Sequence, residues 1–300
     1  MRSVHPFSLP GRWFRGNVHA HSTRSDGTVS VSQRCAGYRR AGYDFLVLTD
    51  HDLTGPVDEF CGEGFLTIPG AELHPDNPYG GERYHILALG VRENMDARAM
   101  HVLKVLEAIG AQGGIAVMAH PYWSGHQLSD YQPLRPLYCG IEIYNHTAHR
   151  LNNTGYAELL WDAHLDRLGS AWGFANDDSH RGDEEVGGGW NMVRAGALDE
   201  GSILQAMRTG AFYATQGPMI ENIAVQSEGS RPQLFVRCSE ARRISFKGRA
   251  HTGAVFQAAP GSMLREARYL AAGDEQFIRI EVEDPRGLKA WSNPIPLASL

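Results

Sequence analysis

The chain has 300 residues, of which 42% are hydrophobic and 21% charged, so it is long enough to bury a sizeable core and ordinary enough in composition to be globular. A formal net charge of −6 argues against broad phosphate-backbone binding, which needs a basic face, and favours a small molecule over extended nucleic acid as the partner. The N-terminal stretch lacks an apolar leader core and no run approaches a membrane span, which gives the expectation of a soluble cytoplasmic protein with no membrane partner.

Seven short apolar runs read as strands, and each ends in or near a polar residue able to bind a metal. The first, Gly16–His21, carries His19 and His21 and is followed by Asp26-Gly27. Val31–Ala41 reads as a helix behind a Ser30 cap. Phe45–His51 and Phe65–Glu72 are the second and third strands, and Tyr84–Gly90, with His85 near its start, is the fourth. A helix over Ala97–Ala111 precedes Ile115–His120, Ile141–Asn145 follows, and a helix over Gly155–Leu168 leads into Ala171–His180. A last helix spans Glu200–Thr209. This alternation favours an α/β fold with a mainly parallel barrel, and seven strands rather than eight make the barrel distorted or incomplete. Beyond Gly217-Pro218 the pattern becomes short alternating runs, Gln233–Arg237, Arg243–Phe246 and Phe277–Val282, which read as a β-sandwich over 218–300 appended to a barrel over 1–217.

Four cysteines, Cys35, Cys61, Cys139 and Cys238, form no C-x-x-C pair, so reduced and mostly buried thiols are expected. The chemistry lies with histidines and carboxylates. His19 and His21, two apart on a strand, face the same way, and the Asp26-Gly27 turn returns a carboxylate toward them. Asp50-His51-Asp52 ends a buried strand: His51 reads as a ligand, Asp50 as the acceptor that orients an imidazole, and Asp52 as a turn or cap residue. Glu72 has two oxygens with which to bridge two ions. His85 and His120 sit among apolar residues, where a lone histidine is more often a hydrogen-bonded core residue, and Pro121 restricts the backbone of His120. Asp178 and His180 repeat the two-residue spacing, with Asp177 on the opposite face.

Six histidines, two aspartates and one glutamate are too many for one tetrahedral zinc and fit two or three divalent ions, with imidazole and carboxylate suiting Zn²⁺, Mn²⁺ or Fe²⁺. Arg24 and Arg181 flank the ligand pairs and match phosphate, against the commoner role of solvated loop arginines; Tyr122, Trp123, Asn145 and His146 are candidates for the pocket wall, against core packing and helix capping. His5, His74, His101, His126, His149, His164 and His251 receive no role. No G-x-S-x-G elbow, phosphate-binding loop of the G-x-x-x-x-G-K-[ST] type or dinucleotide fingerprint occurs.

The ordered set H-x-H…S-D-G, T-D-H-D, G-x-E, H, H-P and D-x-H, over residues 14 to 217, resembles the polymerase and histidinol phosphatase (PHP) superfamily. The resemblance implies a distorted (β/α)7 barrel. It also implies one metal on His19, His21, Glu72 and Asp178, a second on Glu72, His85 and His120, and a third on Asp26, His51 and His180. The stretches Gly188–Thr215 and Ala290–Ile295 are similar to the carbaryl-hydrolase-like branch, whose members are stand-alone hydrolases with a C-terminal β domain. The resulting expectation is a metal-dependent phosphoesterase acting on a small phosphomonoester or cyclic phosphate through a metal-bridging hydroxide. Hydrolysis of a carbamate or carboxylic ester at the same metals, and a non-catalytic metal-binding module that docks a partner protein, are the alternatives. Oligomeric state is not legible.

Overall fold

A computed structural model describes residues 5–228, 231–273 and 275–297. A strand forms at or near each of the seven expected runs: β1 (Arg12–Asn17), β2 (Phe45–Leu48), β3 (Leu66–Leu73), β4 (Ile86–Leu89), β5 (Ile115–Met118), β6 (Gly140–Asn145) and β7 (Trp172–Asn176). β1 lies earlier than the expected Gly16–His21 and ends before His19 and His21. They are neighbours in that order, with β1, β2 and β3 mutually parallel and β5, β6 and β7 likewise. The chain therefore has a mixed α/β fold organised on largely parallel strands.

One strand departs from the mainly parallel expectation. β4 runs antiparallel to both β3 and β5. No helix intervenes between β3 and β4 among the described residues, and a parallel return needs a long crossover, so the chain turns back on itself. The reversal brings the start of β4 to the end of β3, and His85 precedes its strand where the other candidate ligands follow theirs or, like Glu72, lie near the strand's end.

The segments after β1 and β7 meet. A parallel bridge joins Ala20 to Ser179, with His21 N–H donating to the Ser179 carbonyl at 2.9 Å and Asp178 N–H to the His19 carbonyl at 3.0 Å. Phe14, Val47, Ile68, Leu87, Val117 and Phe174, one from each of six strands, share a buried cluster. The opposite faces of β4 to β6 pack on helices α2 (Val102–Ala111) and α5 (Glu158–Arg167) through Ile86, Met118 and Ile143 against Val105, Ile109 and Trp161. Burial on both faces is why these strands read as continuous apolar runs.

The expected helices form with trimmed ends. α1 (Val31–Arg40) carries a reciprocal capping box between Ser30 and Gln33. The helix expected over 97–111 is broken: a 3-10 turn spans Ala97–Ala99, and His101 caps α2 by accepting from Leu103 N–H. Two short helices escape the periodicity, α3 (Leu128–Tyr131) and α4 (His146–Asn152), as do strands β8 (Trp190–Ala195) and β9 (Phe212–Thr215) on either side of α6 (Glu200–Arg208).

The remaining strands are β10 (Ile220–Glu228), β11 (Arg231–Ala241), β12 (Arg243–Lys247), β13 (Gly253–Gln257), β14 (Leu264–Leu270), β15 (Phe277–Glu283), β16 (Lys289–Ser292) and the two-residue β17 (Ile295–Pro296), which pairs with β15. β10, β11 and β14 form an antiparallel sheet, while β13, β12, β15 and β16 continue through β9 and β8 to β1. Ile223, Val236 and Ala267 of the first share a buried cluster with Ile244, Ile280 and Val282 of the second. Cys35 and Cys238 are buried, but Cys61 is exposed, since it follows a surface 3-10 turn, and is hydrogen-bonded to Thr67. No helix among the described residues is long and apolar enough to cross a membrane.

Candidate metal centre

The nine residues singled out as ligands converge at the end of the strands where β1, β2 and β3 finish. Glu72, 1% exposed, lies in the middle. Its Oε2 stands 3.4 Å from His19 Nε2, 3.4 Å from His21 Nε2 and 3.0 Å from His51 Nδ1, and its Oε1 is 2.8 Å from His85 Nδ1 and 3.0 Å from His120 Nε2. Asp178 Oδ1 lies 3.1 Å from His19 Nε2 and 3.0 Å from His21 Nε2. Asp26 Oδ2 lies 3.3 Å from His51 Nε2 and 3.4 Å from His180 Nε2.

Among these spacings, those between Glu72 Oε1 and His85 Nδ1 and between Glu72 Oε1 and His120 Nε2 are hydrogen bonds, but they leave most of the facing atoms unpaired. Among the described residues, His19 Nε2, both ring nitrogens of His21, His51 Nδ1, Glu72 Oε2 and Asp178 Oδ1 are buried with no hydrogen-bond partner. Buried polar atoms are ordinarily paired, so orphans that face one another need partners: five of the six gather about Glu72 Oε2 and Asp178 Oδ1, and His21 Nδ1 lies 3.8 Å from Asp26 Oδ1. Ligand atoms about 2.1 Å from one ion stand roughly 3.0–3.5 Å apart, the separation of these atoms. The donor set thus fits metal ions.

Second contacts set the orientation of the rings. Glu142 accepts from His19 Nδ1 at 3.0 Å and from Asn176 Nδ2 at 2.8 Å on Oε1, and from His120 N–H at 2.8 Å and Asn145 Nδ2 at 2.9 Å on Oε2. A carboxylate that holds Nδ1–H turns Nε2 outward as a ligand. Burial opposes ionisation of Glu142, but the neighbouring His19 imidazole and its hydrogen bond hold the carboxyl below the usual range. Burial likewise opposes ionisation of Glu72, and the charge of His19 with hydrogen bonds from the surrounding rings holds it well below. His85 is pushed by burial down to about 4, which keeps its ring neutral and ready to ligate.

Local backbone serves this convergence. Gly27 closes the turn that returns Asp26, for a Cβ there would stand 2.7 Å from the backbone of His21 and Ser22. Three of the five described non-glycine residues with positive φ are Asp52, His120 and Asp178, at 52°, 21° and 55°, a concentration typical of functional sites. His120 is left-handed despite Pro121, because Glu142 and Ser124 fix its backbone and ring. β1 ends at Asn17 and β7 at Asn176, so the same-face argument from a regular strand applies neither to His19 and His21 nor to Asp178 and His180. The first pair flanks the isolated bridge from Ala20 to Ser179, and the second converges through the left-handed turn at Asp178.

Several expectations are corrected. Asp50 holds no imidazole: it accepts from Ser22 N–H at 2.7 Å and from the Ser25 hydroxyl at 2.9 Å, fixing the turn after His21. Arg24 points out of the site and donates to the Pro56 carbonyl at 2.8 Å. Tyr122 is 59% exposed and away from the cavity, and Trp123 takes the wall position, since the turn after Pro121 puts its ring 5.0 Å from that of His120. His146 turns its Nδ1 to the Tyr144 hydroxyl at 3.0 Å instead of lining the cavity. Asn145 caps α4 and donates to Asp178 Oδ2 at 3.1 Å, so it positions a candidate ligand and does not line the cavity. Asp52 stands in the expected turn but caps no helix among the described residues; it accepts from His74 Nδ1 and Arg98. Asp177 faces away as expected and accepts from the N–H groups of Gly187, Gly188 and Gly189, while burial raises its carboxyl to about 6.

A cavity of about 550 Å³ opens over the cluster, lined by Asp26, His51, Glu72, His85, His120, Asp178 and His180 at its floor. Arg181, Arg150, Thr28, Thr147, Leu151 and Trp123 form its walls. Of these, the sequence reading proposed only Arg181 and Trp123. Glu185 ties the wall together, accepting from His180 N–H and Arg181 N–H at 2.7 Å each and pairing with Arg150 at 3.2 Å.

No family model matches the chain. Over 87 residues it is 33% identical to a curated protein, the phosphoribosyl 1,2-cyclic phosphate 1,2-diphosphodiesterase of Eggerthella lenta; the match covers 28% of this chain and spans only 33% of that protein's length. A solved two-domain protein from Bacteroides vulgatus, described as containing a predicted PHP-like metal-dependent phosphoesterase, is similar over 99% of both chains, with a TM-score of 0.56 and 18% identity. An amidohydrolase from Chromobacterium violaceum matches 57% of this chain and 89% of its own at a TM-score of 0.44 and 18% identity. These proteins are hydrolases by name, and the chain shares its fold, over its whole length, with the two-domain PHP-like protein.

Proposed function

We propose that the chain is a metal-dependent phosphoesterase that hydrolyses a small phosphomonoester or cyclic phosphate at two or three divalent ions. The observation that carries this reading is the set of six orphaned buried ligand atoms of His19, His21, His51, Glu72 and Asp178 beneath a cavity also lined by Arg150 and Arg181. His19, His21, Glu72 and Asp178 would hold one ion, Glu72, His85 and His120 a second, and Asp26, His51 and His180 a third. Zinc, manganese and iron all suit such imidazole and carboxylate donors. Ions bound there supply positive charge to phosphoryl oxygens and lower the pKa of water, which yields a nucleophile at neutral pH.

The chain's own groups do the rest. Glu142 fixes the tautomer of His19 and the backbone of His120, so the rings need no reorganisation. Arg181 and Arg150 offer guanidinium donors to an anionic substrate, and Glu185 pairs with the Arg150 guanidinium and fixes the Arg181 backbone N–H. Trp123 and Leu151 give the leaving group an apolar wall. We read residues 1–217 as a distorted (β/α)7 barrel carrying the site, and 218–300 as an accessory β-sandwich.

The test is a screen of purified, metal-reconstituted protein against phosphomonoesters, cyclic phosphodiesters and aryl carbamates. Turnover of a phosphate ester, abolished by exhaustive chelation and restored by Mn²⁺, Zn²⁺ or Fe²⁺, supports the reading. Full activity in metal-free protein overturns the metal dependence. Turnover confined to carbamates assigns the site to carbonyl chemistry, toward which the resemblance of Gly188–Thr215 to the carbaryl-hydrolase-like branch points.

A further inference from the structure

The ligand pattern leaves His74 aside, yet the fold buries it, 5% exposed, beside Glu72. Its ring lies 4.7 Å from that of His51 and 4.3 Å from that of His85, both assigned as ligands above. A structural spacer is the simplest account of such a residue, and a buried histidine is more often hydrogen-bonded than ligating.

The way it is held argues otherwise. Asp52 Oδ1 accepts from both the backbone N–H and the ring Nδ1 of His74, at 3.0 Å each. Asp52 is fixed in turn: Arg98 Nε donates to its Oδ2 at 2.6 Å, and its own N–H donates to the Glu72 carbonyl at 2.8 Å. Its φ of 52° is one of the strained values at the centre. A carboxylate on Nδ1–H leaves Nε2 as the nitrogen with a lone pair, the arrangement by which proteins present imidazole to metals. Here Nε2 lies 4.0 Å from Glu72 Oε1. That is too long for a hydrogen bond but within the roughly 4.2 Å that separates two ligand atoms on opposite sides of one ion, each about 2.1 Å from it. His51, Glu72 and His74 each offer a ligand atom within 4.8 Å of the others.

We propose that His74 is a further metal ligand of this centre, presented by Asp52, and that Arg98 acts on the ion only through this pair. The proposal rests on reading the cluster as a metal centre. It gives the Glu72 side of the site one more neutral nitrogen donor than the ordered sequence motifs provide.

Titration of the full-length apo protein with Co²⁺ tests it, with absorption in the visible and elemental analysis as readouts that need no substrate. His74→Asn keeps an amide N–H for Asp52 and removes the Nε2 donor. It should weaken one Co²⁺ step by at least about tenfold and alter the visible bands, with the other steps unchanged. His74→Gln, whose amide oxygen reaches nearer the Nε2 position, should recover part of the loss. Unchanged Co²⁺ affinities and spectra in folded His74→Asn would overturn the proposal. Should that variant not fold, ¹¹³Cd-loaded wild-type protein decides: a ¹¹³Cd–¹⁵N coupling at His74 Nε2 supports ligation and its absence, with couplings at His85 and His120 present, refutes it. A wild-type protein that binds no Co²⁺ or Cd²⁺ at all refutes the metal-centre reading itself.

Discussion

Replacing Glu142 with glutamine changes one atom and separates a designed acceptor from an incidental buried acid. In the wild type its two oxygens receive four donors, His19 Nδ1 and Asn176 Nδ2 on one and His120 N–H and Asn145 Nδ2 on the other. A glutamine amide has one oxygen, so whichever way it lies, its NH₂ confronts two of those donors. Two buried donors left without an acceptor cost about 1–3 kcal/mol each, so Glu142→Gln should lose roughly 2–6 kcal/mol of stability. Because the affected groups include His19 or His120, metal affinity should fall by about tenfold to a hundredfold as the ring loses its fixed tautomer or position. Urea unfolding of the apo protein measures the first quantity, and competition with a chromophoric chelator the second. A Glu142→Gln protein with the wild-type urea midpoint and wild-type metal affinity would refute the role given to Glu142.

If Asp26, His51 and His180 hold a third ion, His51→Ala should remove about one metal per chain by elemental analysis while the protein stays folded; unchanged stoichiometry argues for fewer ions. Arg181→Ala and Arg150→Ala should each lower kcat/KM for a phosphate ester by about tenfold to a hundredfold, the range of one charge-assisted hydrogen bond, whereas Arg24→Ala, whose guanidinium holds the Pro56 carbonyl, should leave it unchanged. An equal loss from all three would mean that the pocket geometry is misread. Glu281, buried, is lowered from 4.5 to about 2 because the charges of Lys289, Lys247 and Arg279 outweigh the cost of burial. A depressed carboxyl stabilises above its unfolded pKa and loses that contribution as pH falls from about 4.5 toward 2, so Glu281→Gln should flatten the acid limb of the stability curve by about 3 kcal/mol. Parallel acid unfolding curves for the two proteins would contradict this.

The candidate ligand set was legible before any fold was known, because it resides in residue type and short spacing. His19 and His21 two apart, Asp178 and His180 two apart, and apolar runs ending abruptly in His51, Glu72 and His120 are local features, and local features survive in a linear string. The four-residue buried runs at β2, β4 and β5 also announced themselves, since strands covered on both faces must be apolar throughout. Assignment of roles to Arg24, Tyr122 and Asp50 by their nearness in sequence to a ligand failed for the complementary reason: a neighbour along an extended chain or turn points elsewhere as readily as inward.

What the tertiary structure alone decided is long-range. Sequence placed His85 at the start of a strand, an anomaly among ligands at strand ends, until the reversal of β4 brought that start beside the end of β3. Glu142 sat unnoticed in Ile-Glu-Ile, although an acid inside a fully buried strand is a signal in itself; its four donors come from β6, β7 and the segments after β1 and β5, which no spacing reveals. His74 and Asp52 lie 22 residues apart, and their pairing depends on the parallel register of β2 and β3. The sequence by itself determined which atoms are available as ligands; the packing of seven strands determined which of them share a partner, because that depends on distances between segments the chain separates by tens of residues.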